Sequence, residues 1–108
     1  MMLWTYRATI DRVVDGDTID ALVDLGFGIS HKVRLRLARL DAPETNTAEG
    51  KRVKQLMIDA LPKGTACLIS TAKGDKYGRW IAELMVGQAN INDWLLNAGL
   101  AKLYEGAK

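Results

Sequence analysis

Three consecutive stretches alternate apolar and polar residues with no helix between them. A run with helical periodicity follows, then two more alternating stretches and a second helical run. These observations predict a mainly β fold with two helices. The order β-β-β-α-β-β-α is that of the five-stranded OB-fold barrel. A ferredoxin-like arrangement needs a helix after the first strand, and no stretch there has the period for one.

The first strand is expected over 4–14, where Trp4, Tyr6, Ala8 and Ile10 alternate with Thr5, Arg7, Thr9 and Asp11. Asp15-Gly16 is a tight-hairpin signal. The second strand runs over 17–24, with Ile19, Ala21 and Val23 on one face, and Leu25-Gly26-Phe27-Gly28 turns the chain again. In the third strand, 30–37, Val33, Leu35 and Leu37 oppose Lys32, Arg34 and Arg36. The alternation slips at Ala38-Arg39, which marks a bulge or the strand's end. Over 48–61, Val53, Leu56, Met57, Ala60 and Leu61 form a helical stripe, with Thr47 as N-cap and Pro62-Lys63-Gly64 as the stop. Strands are expected over 65–71 and 77–86, separated by a polar turn over 72–76. Trp80, Ala82, Leu84 and Val86 share one face of the last strand, and both Trp80 and Trp94 read as core. The second helix covers 90–98: Asn90 caps it, Asp93 lies in its first turn and Gly99 ends it. A short tail, 100–108, completes the chain.

With 108 residues, the chain is expected to form one domain spanning 1–108. Its net charge of +2 carries no polybasic signature, so any attraction for nucleic acid must come from a local patch. Cys67 is the only cysteine; it excludes an intrachain disulfide and a thiolate cluster, and its apolar neighbours suggest a buried filler. No stretch approaches transmembrane length. The amino terminus lacks the basic and apolar regions of a signal peptide. The chain as written reads as cytoplasmic, or as secreted where a leader has been removed.

The chemistry concentrates in two segments, Asp15-Gly16-Asp17-Thr18 and Arg36 to Glu44. Pro43 fixes its own φ and keeps Ala42 out of the helical region, so Asp41 and Glu44 stand on a stiff turn. In an antiparallel hairpin, paired residue numbers have a constant sum. If Asp24 lies beside Ser30 or His31, then Asp17 lies near Arg39 to Asp41, with Arg36 slightly deeper on the non-core side. Two carboxylates about 4 Å apart repel by about 4 kcal/mol at an effective dielectric near 20. A cation, a proton or the arginines must compensate. Hard oxygen ligands without histidine or cysteine favour Ca²⁺ or Mg²⁺ over zinc, with carbonyls, water and substrate phosphate completing the shell. His31 reads as an exposed polar residue. Arg34 and Arg39 read as surface residues or as general attraction for DNA, and Lys51, Arg52 and Lys54 as the wet face of the first helix.

Four blocks together resemble the staphylococcal (thermonuclease-like) nuclease family. They are Val14-Asp15-Gly16-Asp17-Thr18-Ile19, Arg36-Leu37-Ala38-Arg39-Leu40-Asp41-Ala42-Pro43-Glu44, Asp75-Lys76-Tyr77-Gly78-Arg79 and Leu95-Leu96-Asn97-Ala98-Gly99-Leu100-Ala101-Lys102. The resemblance implies an OB-type barrel and Ca²⁺-dependent cleavage of phosphodiesters in DNA or RNA. It implies Asp17 and Asp41 as metal carboxylates, with Ala42 lending its backbone carbonyl. Glu44 would orient or deprotonate the attacking water. Arg36 and Arg79 would bind phosphate, and Lys76, Tyr77 and Tyr104 would contact the substrate beyond it. Spacing alone does not place Arg79 in the site. The loop after Glu44 is shorter than in many relatives, and the family's third helix is expected to be absent because the chain ends soon after Tyr104. The resemblance leaves room for a monomer or a dimer. The rival reading is a non-catalytic barrel that binds single strands or a protein ligand.

Overall fold

A computed structural model describes residues 4–74 and 77–104. Its elements are β1 (Trp4–Asp15), β2 (Thr18–Gly26), β3 (Ile29–Leu37), β4 (Leu40–Asp41), α1 (Ala48–Ala60), β5 (Ala66–Gly74), β6 (Trp80–Val86), β7 (Ala89–Asn90), α2 (Ile91–Asn97) and β8 (Lys102–Leu103). Strands pair in the order β3-β2-β1-β5-β6, and β3 also pairs with β6. That last contact is parallel, Leu35 beside Trp80 and Leu37 beside Ala82, and it closes a five-stranded OB-type barrel.

Alternation along the strands fills this barrel. Ile10, Ile19, Leu35, Leu37, Ile69 and Leu84 are all at most 2% exposed. A register shift in β1 between Ile10 and Arg12 lets Val13 face inward although it is an odd number of residues from Ile10. From α1, Val53 and Met57 enter the core, followed by Leu61 just past the helix. The Thr47 hydroxyl accepts the Gly50 N–H at 3.0 Å, as the cap reading expects. In α2 the Asn90 side chain accepts the Asp93 N–H at 2.9 Å. Gly99, at φ 73°, closes α2: its N–H reaches Leu96 O, and the Leu100 N–H reaches Leu95 O at 2.9 Å. Cys67 is buried as expected, and burial pushes its thiol up to about 11. No helix among the described residues is long and apolar enough to cross a membrane.

The structure corrects several expectations. β6 begins at Trp80, not at residue 77, because Gly78 at φ 82° turns the chain just before it. Trp80 is not core: it shares the parity of Ala82 and Leu84, but it starts the strand and remains 41% exposed. The stretch after Leu100 is not a loose tail, since β8 pairs with β4 (Leu40 with Leu103, Asp41 with Lys102). Ala60 is exposed rather than part of the buried stripe. Arg34 and Arg39 are surface residues as expected, and each also forms an ion pair, Arg34 with Asp20 at 2.8 Å and Arg39 with Glu83 at 2.6 Å.

Candidate active site

The β2–β3 hairpin carries out the convergence that its register requires. Asp24 pairs with Ser30 and Thr18 with Arg36. The Leu37 N–H donates to Asp17 O at 2.8 Å, so the loop residue Asp17 meets the end of β3. The Asp17 carboxylate then bridges both segments: Oδ2 accepts the Ala42 N–H at 2.9 Å, and Oδ1 accepts the Thr18 hydroxyl at 3.1 Å. Gly16 makes this approach possible. A Cβ there would lie 2.7 Å from Ala42 Cβ and 2.9 Å from Val53 Cγ1.

Arg36 sits at the centre of the site, its side chain only 15% exposed. Nη1 donates to the carbonyls of Leu37 at 3.1 Å and Leu40 at 2.9 Å. The same nitrogen lies 3.5 Å from Asp17 Oδ2, while Nη2 lies 3.3 Å from Asp41 Oδ1. The two carboxylates therefore face one guanidinium, which offsets their mutual repulsion. Asp17 and Asp41 differ in exposure, 14% against 60% of the side chain. The Tyr104 ring completes the surround, with Arg36 Cζ 5.9 Å from its centroid. β8 and the Tyr104 N–H bond to Arg39 O, at 2.8 Å, put that ring there.

Asp15 and Asp17 share a turn and divide its proton affinity unequally. Burial, and then the neighbouring Asp17, push Asp15 up to about 6. Burial would also raise Asp17, but the Asp15 hydrogen bond, the Ala42 N–H, the Arg36 charge and the Thr18 hydroxyl together hold it below the usual carboxylate range. Asp17 is thus the ionised member of the pair. Asp15 and Thr18 stand in a segment that the sequence singled out, but only Asp17 was assigned a role there. The signal was within the Asp15-Gly16-Asp17-Thr18 block, which read as a hairpin turn with one functional carboxylate.

Glu44 is exposed. Its backbone is fixed by the start of α1, its carbonyl accepting the Thr47 N–H at 3.0 Å and the Thr47 hydroxyl at 2.6 Å. Among the described residues, the Glu44 carboxylate has no hydrogen-bond or ion-pair partner. Arg79 precedes by two residues Ile81, which pairs with Arg36 across the barrel closure. The Arg79 guanidinium lies 5.2 Å from the centroid of the Tyr77 ring, which is 70% exposed. Lys76 lies outside the described residues.

The turn between β3 and β4 is unusual. Arg39 has φ 72°, a left-handed conformation that costs a non-glycine residue on the order of 1–3 kcal/mol. Its side chain donates Nε to Glu83 Oε2 at 2.6 Å, and Nη2 to Glu83 Oε1 at 2.8 Å and Asp93 Oδ1 at 2.7 Å. Beside it the fully buried Asn92 donates to Ala38 O and Ala82 O, both at 3.0 Å, and accepts the Leu84 N–H at 3.0 Å. The sequence marked this turn only as a slip in alternation.

Among the described residues, no three histidine, cysteine or carboxylate side chains meet in a cluster able to hold a metal ion. The donor chemistry of Asp17 and Asp41 still fits a hard cation. A carboxylate offers about four lone-pair sites, and the two are joined to protein donors at only part of that capacity. Water, a carbonyl and substrate oxygens would have to supply the remaining ligands.

The family model described as "Staphylococcal nuclease homologue" matches residues 34–108. The chain is 32% identical over 107 residues to Protein ParB of Escherichia coli, covering 91% of this chain and 57% of that protein. It is 33% identical over 108 residues to Micrococcal nuclease of Shigella flexneri, covering 92% and 59% respectively. An uncharacterized endonuclease of Escherichia coli O157:H7 is 33% identical over 95 residues, covering 87% of this chain and 58% of that protein. The chain therefore spans somewhat more than half the length of these relatives. A family match that takes in the end of β3, the Asp41–Glu44 turn, Arg79 and the β8 segment, on a barrel closed as the OB fold requires, means that the chain belongs to the staphylococcal nuclease homologue family.

Proposed function

We propose that this chain is a calcium-dependent nuclease that hydrolyses phosphodiester bonds of DNA or RNA. The observation that carries the reading is the meeting of Asp17 and Asp41 at the Arg36 guanidinium, with the exposed Glu44 on the adjoining turn. Nuclease-named relatives support it.

A divalent cation, when bound, polarises a phosphoryl oxygen and lowers the pKa of water. Asp17, Asp41 and the Ala42 carbonyl are the groups that would hold it. The hydrogen bonds that keep Asp17 ionised also keep it ready to bind a cation. Arg36 and Arg79 bind the scissile phosphate, because a guanidinium stays charged and presents paired donors to phosphate oxygens. Arg79 also stabilises the leaving oxygen. Glu44 orients or deprotonates the attacking water, a role suited to an exposed carboxylate on a fixed backbone. Lys76, Tyr77 and Tyr104 contact the substrate beyond the scissile phosphate.

The test is cleavage of a labelled single-stranded DNA across a calcium titration, repeated in chelator. Cleavage that rises with Ca²⁺ and stops with chelator is expected. Undiminished activity in chelator, or no cleavage at any Ca²⁺ concentration, overturns the reading. Arg36→Lys and Glu44→Gln are each expected to reduce turnover by about 10² to 10³, the typical loss for one preorganised contact, with little change in thermal midpoint.

A further inference from the structure

We propose that Arg39, which the reaction does not touch, is a positioning residue whose clamp onto Glu83 and Asp93 sets where the Arg36 guanidinium sits. The inference rests on the reading of Arg36 as a phosphate-binding group.

Arg36 is not aimed by its own strand alone. Two of its hydrogen bonds go to Leu37 O and Leu40 O, the carbonyls that bracket the Ala38-Arg39 reversal. A third support, the Tyr104 ring, is carried by a backbone that bonds to Arg39 O. The shape of the reversal therefore decides where all three supports lie. That shape depends on a left-handed Arg39, which the chain does not adopt without compensation. The compensation comes from outside the turn. Three charge-assisted hydrogen bonds tie Arg39 to Glu83 on β6 and Asp93 on α2. Asn90 donates to Glu83 Oε1 at 3.1 Å, so the acceptor is itself oriented. Asn92 holds the preceding carbonyl, Ala38 O, from the same helix.

Glycine reaches the left-handed region without strain but is not held there, so Arg39→Gly removes the clamp that fixes the turn without forbidding its backbone conformation. The variant gains relief of strain and loses two ion pairs, the bidentate one to Glu83 and the more exposed one to Asp93, so the two effects oppose each other in its thermal midpoint. If the clamp positions Arg36, kcat falls about 10- to 100-fold, the range typical of lost supporting contacts around a site, while KM changes little. Glu83→Gln, which leaves Arg39 in place, moves kcat in the same direction by less. In an Arg36→Lys background, Arg39→Gly costs almost nothing further, because its effect runs through Arg36.

Turnover within twofold of the parent for both variants overturns the proposal. So does an Arg39→Gly loss that is fully retained in the Arg36→Lys background. A readout independent of activity is the Arg36 guanidinium in ¹⁵N-edited NMR: its Nη–H signals are expected to show restricted rotation in the parent and rapid averaging in Arg39→Gly. If the parent fails to cleave DNA, the nuclease reading falls and this signal alone decides the positioning inference. Unchanged Arg36 rotation rejects it.

Discussion

At the scale of single residues, Gly50 controls the placement of Glu44. A Cβ at Gly50 would stand 1.7 Å from Glu44 O, a backbone atom that no side-chain rotation can move. Gly50→Ala is therefore expected to displace the Glu44 turn, although alanine favours helices elsewhere. Turnover should fall by at least about tenfold and stability by about 1–3 kcal/mol, the overpacking range, read from kinetics and denaturant midpoints on one preparation. Nothing in the sequence distinguished Gly50 from an ordinary weak helix residue, because the clash is with a residue six positions back. Asp15 gives a prediction about pH. Its folded-state pKa of about 6 lies above the ordinary 3.8, so between these values the native state holds more proton than the unfolded chain. Its contribution to stability is present below that window and is lost as pH rises through it. Asp17 and Asp20 run the other way, losing their contributions on acidification. Asp15→Asn removes the first effect and weakens the Asp17 effect, since the Asp15 hydrogen bond helps to hold Asp17 down. Measured in chelator, the variant should gain on the parent as pH goes from about 4 to 7; a constant difference would show that burial of the Asp15 charge has no such cost.

At the scale of elements, α2 ties the β3–β4 turn to β6. Asn92 satisfies three buried backbone groups with one side chain. Asn92→Ala leaves those groups without partners in a region that excludes water, at about 1–3 kcal/mol for each stranded group. A loss near 3 kcal/mol or more, seen as a lower denaturant midpoint, is the expected result. A loss below about 1 kcal/mol would mean that water replaces the amide. Helix periodicity identified α2 correctly, down to its Asn90 cap and Gly99 terminator, but it assigned no role to Asn92, because the backbone groups that Asn92 satisfies belong to β6 and the β3–β4 turn. β4 and β8 were missed for a different reason. Two-residue strands have no period to detect, and their partners are separated by more than sixty positions.

At the scale of the whole molecule, barrel closure sets β6 against the strand that carries Arg36. The parallel β3–β6 contact puts Arg36 beside Ile81, two residues along the chain from Arg79. Leu35, fully buried at this closure, tests that dependence. Leu35→Ala should cost about 2–5 kcal/mol of stability. Where the variant remains folded, turnover should drop, because the cavity lies directly behind Arg36. Full activity in a strongly destabilised variant would show that closure and site are energetically separate.

The sequence by itself determined the strand order, both helices with their caps, and the meeting of Asp17 with the end of β3. Those features follow from local periodicity, cap chemistry and the constant register of a short hairpin, all of which act between neighbours in the chain. Only the tertiary structure decided that Arg36 faces both carboxylates, that Asp15 and Asp17 part in proton affinity, that Arg39 is clamped by α2 and β6, and that Trp80 is left open to solvent. Each of these depends on which distant segments come into contact, and on how much water remains between them. Both are set by closure of the barrel rather than by any local pattern.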